Sequence, residues 1–240
     1  MFLINKLMTE VLYLKDCYLK EFDATVISVK DNKYITLDKT AFYPVSGGQP
    51  NDTGKIISSG IEYNIIFVGK FDNNISHEVD KEGLKQGNKV HCIIDWNRRY
   101  KLMRMHTAAH ILDSVIHKES GALFTGNQLG EDKSRLDFNL ETFDREKMQS
   151  YITKANEEIK KSKEVKISFM PKEEASKLSM LLEWDYGDMK ELRVIDIEGI
   201  DKQPCGGTHI KNTSEIKEII FDSVDNKGKG RKRIYFKLKD

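Results

Sequence analysis

Two short stretches of the chain hold residues able to do chemistry. One is MHTAAHIL, with His106 and His110 four positions apart; the other is CGGTHI, with Cys205 and His209 flanking two glycines and a threonine. On an α-helix, residues i and i+4 share a face about 6 Å apart, so both imidazoles of the first stretch can reach one ion. In the second, Gly206 and Gly207 let the chain curl until thiolate and imidazole converge. These are zinc's favoured ligand types, and the two stretches together offer a tetrahedral complement. Spacing leaves open whether the ion is fully enclosed by protein or keeps a position for water or substrate. The H-E-x-x-H peptidases are excluded, because Thr-Ala-Ala separates the histidines and their general-base Glu is absent. Asp113, one turn beyond His110, reads as an orienting partner for a histidine or, more simply, as an exposed surface acid. Thr208 reads as a loop-shaping hydroxyl, since no free base stands ready to activate it. His77, His91 and His117 have no comparable companions.

The elements that must carry these residues follow from periodicity. Residues 10–95 read as short strands between turn signals: Ala24, Val26, Ile27 and Val29, a turn at Asp31-Asn32, then Tyr34, Ile35 and Leu37. Ser58-Ser59-Gly60 and Asp72-Asn73-Asn74 mark further turns, and a last strand is expected from Val90 to Trp96. Many short strands with no helical period predict a small β-barrel or sandwich. Near residue 96 the period changes. Leu102, Met105, Ala109, Leu112 and Ile116 follow helical spacing, as do Phe143, Met148, Ile152, Ala155 and Ile159. Strands are expected in VKISFMP, KELRVIDIEG, EIKEIIFDSVDNKG and KRIYFKLKD, with a short helix in KEEASKLSM. The fold class is therefore α+β, with a barrel over residues 1–95 and an α+β domain over 96–240.

Bulk properties narrow the function. The charges nearly cancel, 39 basic against 38 acidic, so the molecule as a whole is no polycation. The basic residues are uneven, however. Lys227, Lys229, Arg231, Lys232 and Arg233 fall within seven positions without an acid, either a solvated face or a contact for phosphates. A second run lies at 160–166. Cys17, Cys92 and Cys205 are too few and scattered for a disulfide framework, which points to the reducing cytoplasm. No stretch approaches the roughly 20 apolar residues of a membrane span. The N-terminus is broken by Lys and Glu and lacks a small-residue cleavage site, so no signal peptide is expected. Gly47-Gly48, between Ser46 and Gln49, suits a phosphate cradle or a plain barrel turn. A nucleotide loop is excluded there, because no Lys-Ser/Thr follows.

At this point a resemblance becomes specific. MHTAAHIL and CGGTHI are similar to the paired zinc motifs of the alanyl-tRNA synthetase editing domain. TAFYPVSGGQPNDTGKI resembles the Gly-rich motif of the barrel before it, DWNRRYKLMRMHTAAH the entry to its first helix, and GNQLGEDKSRLDFNL its substrate-pocket segment. The five stretches keep the family's order, and nothing resembles an aminoacylation core, so the chain is similar to the free-standing AlaX proteins of medium length. The resemblance implies hydrolysis of serine from mischarged alanine tRNA and leaves glycine open as an additional substrate. Zinc would be held by His106, His110, Cys205 and His209. It implies substrate contacts at Gln128, whose amide suits a seryl hydroxyl, and at Gly206, Gly207 and Thr208. Arg135 and Asp137 are either substrate contacts or a structural ion pair. Gly47 and Gly48 would help select the tRNA, and residues 227–233, with Tyr235 and Phe236 adjacent, would touch its backbone. No membrane or nucleotide cofactor is implied, and oligomeric state stays open. Two alternatives remain: a zinc-stabilised tRNA-binding module without catalysis, and a deacylase for Ser-tRNA(Thr), since the threonyl-tRNA synthetase editing domain shares the metal-type motif. A small-molecule hydrolase explains neither barrel nor basic run.

Overall fold

The computed structural model describes residues 9–71, 74–141, 145–178, 187, 189–228 and 230–239. Lys229, Phe143, the Asp72-Asn73 part of a turn and the Ser179-Met180 end of a short helix lie outside the described residues. The chain divides into two compact units: residues 1–46 with 50–99, and residues 47–49 with 100–240.

The first unit is a closed barrel. Its short β1 (Glu10–Val11) pairs in parallel with β4 (Lys39–Thr40). The barrel itself is built from β2 (Glu21–Lys30), β3 (Tyr34–Leu37), β5 (Gly54–Ser58), β6 (Ile61–Phe71), β7 (Asn74–Val79) and β8 (Lys89–Ile94), in the order β2-β3-β7-β6-β5-β8. Asp31 (φ 49°) and Asn32 (φ 59°) are left-handed at the β2–β3 turn, as are Ser59 and Gly60 between β5 and β6. Such turns match the right-handed twist of paired strands. Inward residues, among them Val26, Ile35, Leu37, Phe42, Ile56 and Val68, alternate with exposed ones and fill the interior. Arg99, Asp52 and His77 are among the polar residues buried in this unit. The Arg99 guanidinium bonds both carboxylate oxygens of Asp52 and donates to the carbonyls of Cys17 and Ala41. His77 lies between Thr40 Oγ1, at 2.8 Å from Nε2, and the Ile35 carbonyl, at 2.9 Å from Nδ1.

The helical period expected from residue 96 is that of α1 (Trp96–Ser120), whose residues belong to the second unit from Tyr100 onward. Trp96 therefore begins a helix instead of ending a strand. Leu102, Met105, Ala109, Leu112 and Ile116 are buried as their spacing predicts, but so are Met103, Ala108 and Ile111. Every residue from Met105 to Ile116 is buried, so the middle of α1 is a core helix. Its second-unit neighbours are β9 (Phe124–Gln128), β10 (Ser134–Phe138), α2 (Arg145–Lys160), β11 (Val165–Pro171), a one-turn α3 (Lys172–Ala175), β12 (Glu191–Ile197), β13 (Asp201–Pro204), β14 (Ile219–Asn226) and β15 (Lys232–Leu238). Two antiparallel sheets result, ordered β14-β15-β10-β9 and β11-β12-β13. On α2 the buried residues are Met148, Tyr151, Ile152, Ala155 and Ile159. The fold class is α+β with a closed six-stranded barrel, as the sequence predicts. Among the described residues no helix is long and apolar enough to cross a membrane.

Candidate metal centre

Within the second unit, α1 and the loop after β13 bring His106, His110, Cys205 and His209 together, with one ligand atom from each lying within 4.8 Å of all the others. The helix contributes its i and i+4 histidines from one face. The loop is held at both ends. At its start, β13 pairs with β12, and Arg193 Nη1 of β12 donates to the carbonyls of Cys205 (2.6 Å) and Gly207 (2.9 Å). At its end, Asn212 and Glu215 form a capping box, the Asn212 side chain accepting from Ser214 N–H while Glu215 Oε1 accepts from Asn212 N–H. Arg104 of α1 donates to the carbonyls of Glu215 and Ile216 and ties the helix to that turn.

All three histidines present the same nitrogen to the centre. Gln49 Oε1 lies 2.8 Å from His106 Nδ1 and also accepts Thr208 N–H, so it is the carbonyl oxygen of its amide and Nδ1 must carry the proton. The Asp201 carboxylate lies 2.7 Å from His110 Nδ1. Thr107 Oγ1 gives its own proton to the Met103 carbonyl and therefore accepts from His209 Nδ1, at 3.1 Å. Each Nδ1–H is thus occupied outward, which leaves each Nε2 to face the centre. Two of them, on His106 and His209, lie 3.6 and 3.3 Å from Cys205 Sγ. This is the arrangement a metal-ligating imidazole requires.

The electrostatics favour a thiolate at Cys205 and a neutral ring at His209, whereas His110 is held protonated and would give up its Nε2 proton to a metal. Burial alone would raise the Cys205 thiol, but His106 and His209 outweigh it and hold the thiol well below its ordinary range. Gly207 N–H points at the sulfur from 3.4 Å. Burial, then the neighbouring His106, keeps His209 neutral. Burial likewise opposes protonation of His110, yet Asp201 and Cys205 raise it to about 10. A thiolate and three imidazole nitrogens fit a zinc-type ion. His106, His110 and His209 are buried while Cys205 is half-buried, so the cluster is reached from the sulfur's side. Space in front of Gly206 is open, whereas a Cβ on Gly207 would lie 2.1 Å from His106 Cε1.

Comparison with known proteins gives the lineage. A family model described as Threonyl and Alanyl tRNA synthetase second additional domain matches residues 192–235, and one described as tRNA synthetases class II (A) matches residues 5–98. The chain is 51% identical, over 97% of its length, to the Alanyl-tRNA editing protein AlaX-M of Methanosarcina barkeri, all of which is covered. The chain belongs to the AlaX-M family. Its AlaX-M relative from Saccharolobus solfataricus is 44% identical, again over 97% of this chain and the whole of that protein. The Alanine--tRNA ligase of Ignicoccus hospitalis is 36% identical over 95% of the chain, which spans 26% of that longer protein.

Other residues singled out in this AlaX-M chain are distributed as follows. Gln128 is exposed on the outer face of β9, where Arg135 Nε donates to its Oε1 at 3.2 Å. Strand alternation turns its neighbour Asn127 the opposite way, toward Gly48. Arg135 and Asp137 form an ion pair on that outer face, and Arg233 grips the same carboxylate with two bonds. Asp137 is held below its usual range by these arginines, against the burial that would raise it. Of the basic run, Lys227 and Arg231 are exposed, while Lys232 is buried against Asn226 Oδ1 and beyond reach of a phosphate. Thr208 is buried, its hydroxyl accepting from Gln49 Nε2.

One simple reading is corrected. Asp113 is not a surface acid: it is 6% exposed, and burial with the Asp201 carboxylate nearby pushes it up to about 7. The carboxylate orienting His110 is Asp201 instead. Asp201, Gln49, Thr107 and Arg193 escaped the sequence reading. Three of them stood inside or beside quoted motifs, Asp201 opening the stretch that leads to Cys205 and Gln49 following the glycine pair. Only their contacts mark them out.

Proposed function

We propose that the protein is an aminoacyl-tRNA deacylase that removes serine, and glycine as a smaller companion, from alanine tRNA. Zinc would be held by His106, His110, Cys205 and His209. The observation that carries this reading is the one-sided cluster of three inward Nε2 atoms and a thiolate, in a chain of the AlaX-M family. The relatives' names state alanyl-tRNA editing. Serine is the amino acid that such editing has to remove, because an alanine-shaped activation pocket cannot strongly reject a ligand that merely adds a hydroxyl. When bound, the ion would supply Lewis-acid chemistry for ester hydrolysis.

The chain's own residues do the rest. Half-buried Cys205 and the open space at Gly206 leave one edge of the cluster free for the aminoacyl end, which favours an open site over a closed structural one. Gly207 lets the loop lie against the His106 ring, and Thr208 shapes the loop through its bond to Gln49. Gln128, Arg135 and Asp137, on the outer sheet face, suit contact with tRNA better than with the seryl group. Lys227 and Arg231 are the exposed cations suited to its backbone, with Gly47 and Gly48 shaping the adjoining loop. A tRNA substrate goes with a cytoplasmic location.

The test is release of amino acid from Ser-tRNA(Ala), Ala-tRNA(Ala) and Ser-tRNA(Thr) by the zinc-loaded protein. Serine released from the alanine tRNA with alanine spared is expected. Preference for Ser-tRNA(Thr) would move the substrate to the threonine system. No release from any of the three, with metal bound, would leave a zinc-stabilised tRNA-binding module.

A further inference from the structure

We infer that Gln49 is a positioning residue of the metal centre, its side-chain carbonyl holding His106 in the tautomer that turns Nε2 inward. The inference rests on the metal reading above and goes beyond it, because the sequence reads Gly47-Gly48 as a phosphate cradle, a turn or a tRNA-selecting element and gives Gln49 no role. These three residues belong to the compact unit that contains the cluster, although the chain on both sides of them belongs to the barrel. Gln49 is wholly buried, and every polar atom of its amide is in use. Oε1 accepts from His106 Nδ1 at 2.8 Å and from Thr208 N–H at 3.1 Å, while Nε2 donates to Thr208 Oγ1 at 2.9 Å. The backbone amide of Thr208 can only donate, which fixes the orientation of the carboxamide and hence the tautomer of the ring. One side chain thereby couples the helical half of the cluster to the Cys205–His209 loop.

The two glycines explain how Gln49 gets there. Gly48 is left-handed (φ 79°), and a Cβ on it would fall 1.6 Å from Asn127 Oδ1. Its carbonyl accepts Leu129 N–H at 2.8 Å, so the loop is strapped to the end of β9. Gly207 supplies the matching clearance on the far side, where a Cβ would come within 3.0 Å of Gln49 Oε1. The strap, the carboxamide and the glycine-lined slot form one device that holds a ligand imidazole in register.

The experiment is titration of the full chain with Co(II), reading the thiolate-to-cobalt absorption, and with Zn(II) against a chelator. Wild type is expected to show the cobalt band and Cys205→Ser to lose it. Gln49→Met keeps the shape but has no acceptor; it is expected to bind Zn(II) about 10- to 100-fold more weakly and to shift the cobalt spectrum. Gln49→Glu keeps an acceptor at the Oε1 position and is expected to stay close to wild type. A Gln49→Met protein with wild-type affinity and spectrum would overturn the inference, as would equal losses in the Met and Glu variants. No cobalt band in the wild type, or one indifferent to Cys205→Ser, would overturn the metal reading itself and this inference with it.

Discussion

At the scale of the residue, the centre depends as much on what is missing as on its donors. Gly207 has no side chain because His106 Cε1 and Nδ1 occupy the space where a Cβ would sit, at 2.1 and 2.3 Å. Gly206, one position earlier, faces open space. Gly207→Ala must therefore push the ring or the loop, and both carry members of the cluster. We expect it to lower metal affinity about 10-fold or more, in the range seen when the partner of a ligand is lost, while Gly206→Ala leaves metal affinity and melting temperature unchanged. Chelator competition on the two variants checks this, and equal affinities would show that the loop yields freely. The sequence made both glycines visible as one motif. Their unequal roles were not legible, because the partner of Gly207 is a ring a hundred residues away.

Elements behave likewise. The hairpins, the helical period of α1 and the α+β class could be read because alternation and three-and-four spacing are local consequences of burial. The short β13 was not, having too few residues to show a period, and neither was the burial of Asp113 and His77, which depends on what packs over them. His77 has a measurable consequence for the barrel. Burial, only partly offset by its bond to the Ile35 carbonyl, lowers its pKa from 6.5 to about 4. The folded value is below the unfolded one, so the stabilisation is complete above pH 6.5 and is lost as pH falls from there toward 4. The shift corresponds to about 3 kcal/mol. Thermal unfolding from pH 7.5 to 4 is expected to fall more steeply for wild type than for His77→Gln, whose side chain does not titrate. Parallel curves would count against a neutral buried imidazole.

For the whole molecule, near-neutral charge limits how strongly it can hold RNA. Only Lys227 and Arg231 of the basic run remain exposed among its described residues, and Lys227 pairs with Asp225 at 2.9 Å on the surface. Such a pair is weak enough for a phosphate to replace. The affinity for tRNA should therefore depend shallowly on salt, each contact adding about −0.7 to −0.9 to the slope of log K against log salt. Replacing both residues by alanine is expected to flatten that slope by about 1 to 2 units, with metal content unchanged. An unaltered slope would move the backbone contact elsewhere, with the outer face of β10 and β15 next to be tested.

By itself the sequence determined the fold class, the lineage and the four residues that cluster, because residue type and i, i+4 spacing are properties of short segments and the motifs keep their order along the chain. Tertiary structure decided everything that depends on direction. It turned three Nε2 atoms inward through Gln49, Asp201 and Thr107, left Cys205 the least buried of the four, aimed Gln128 outward, and buried Lys232. Which way a side chain points is set by partners distant in the chain, and no local pattern encodes those partners.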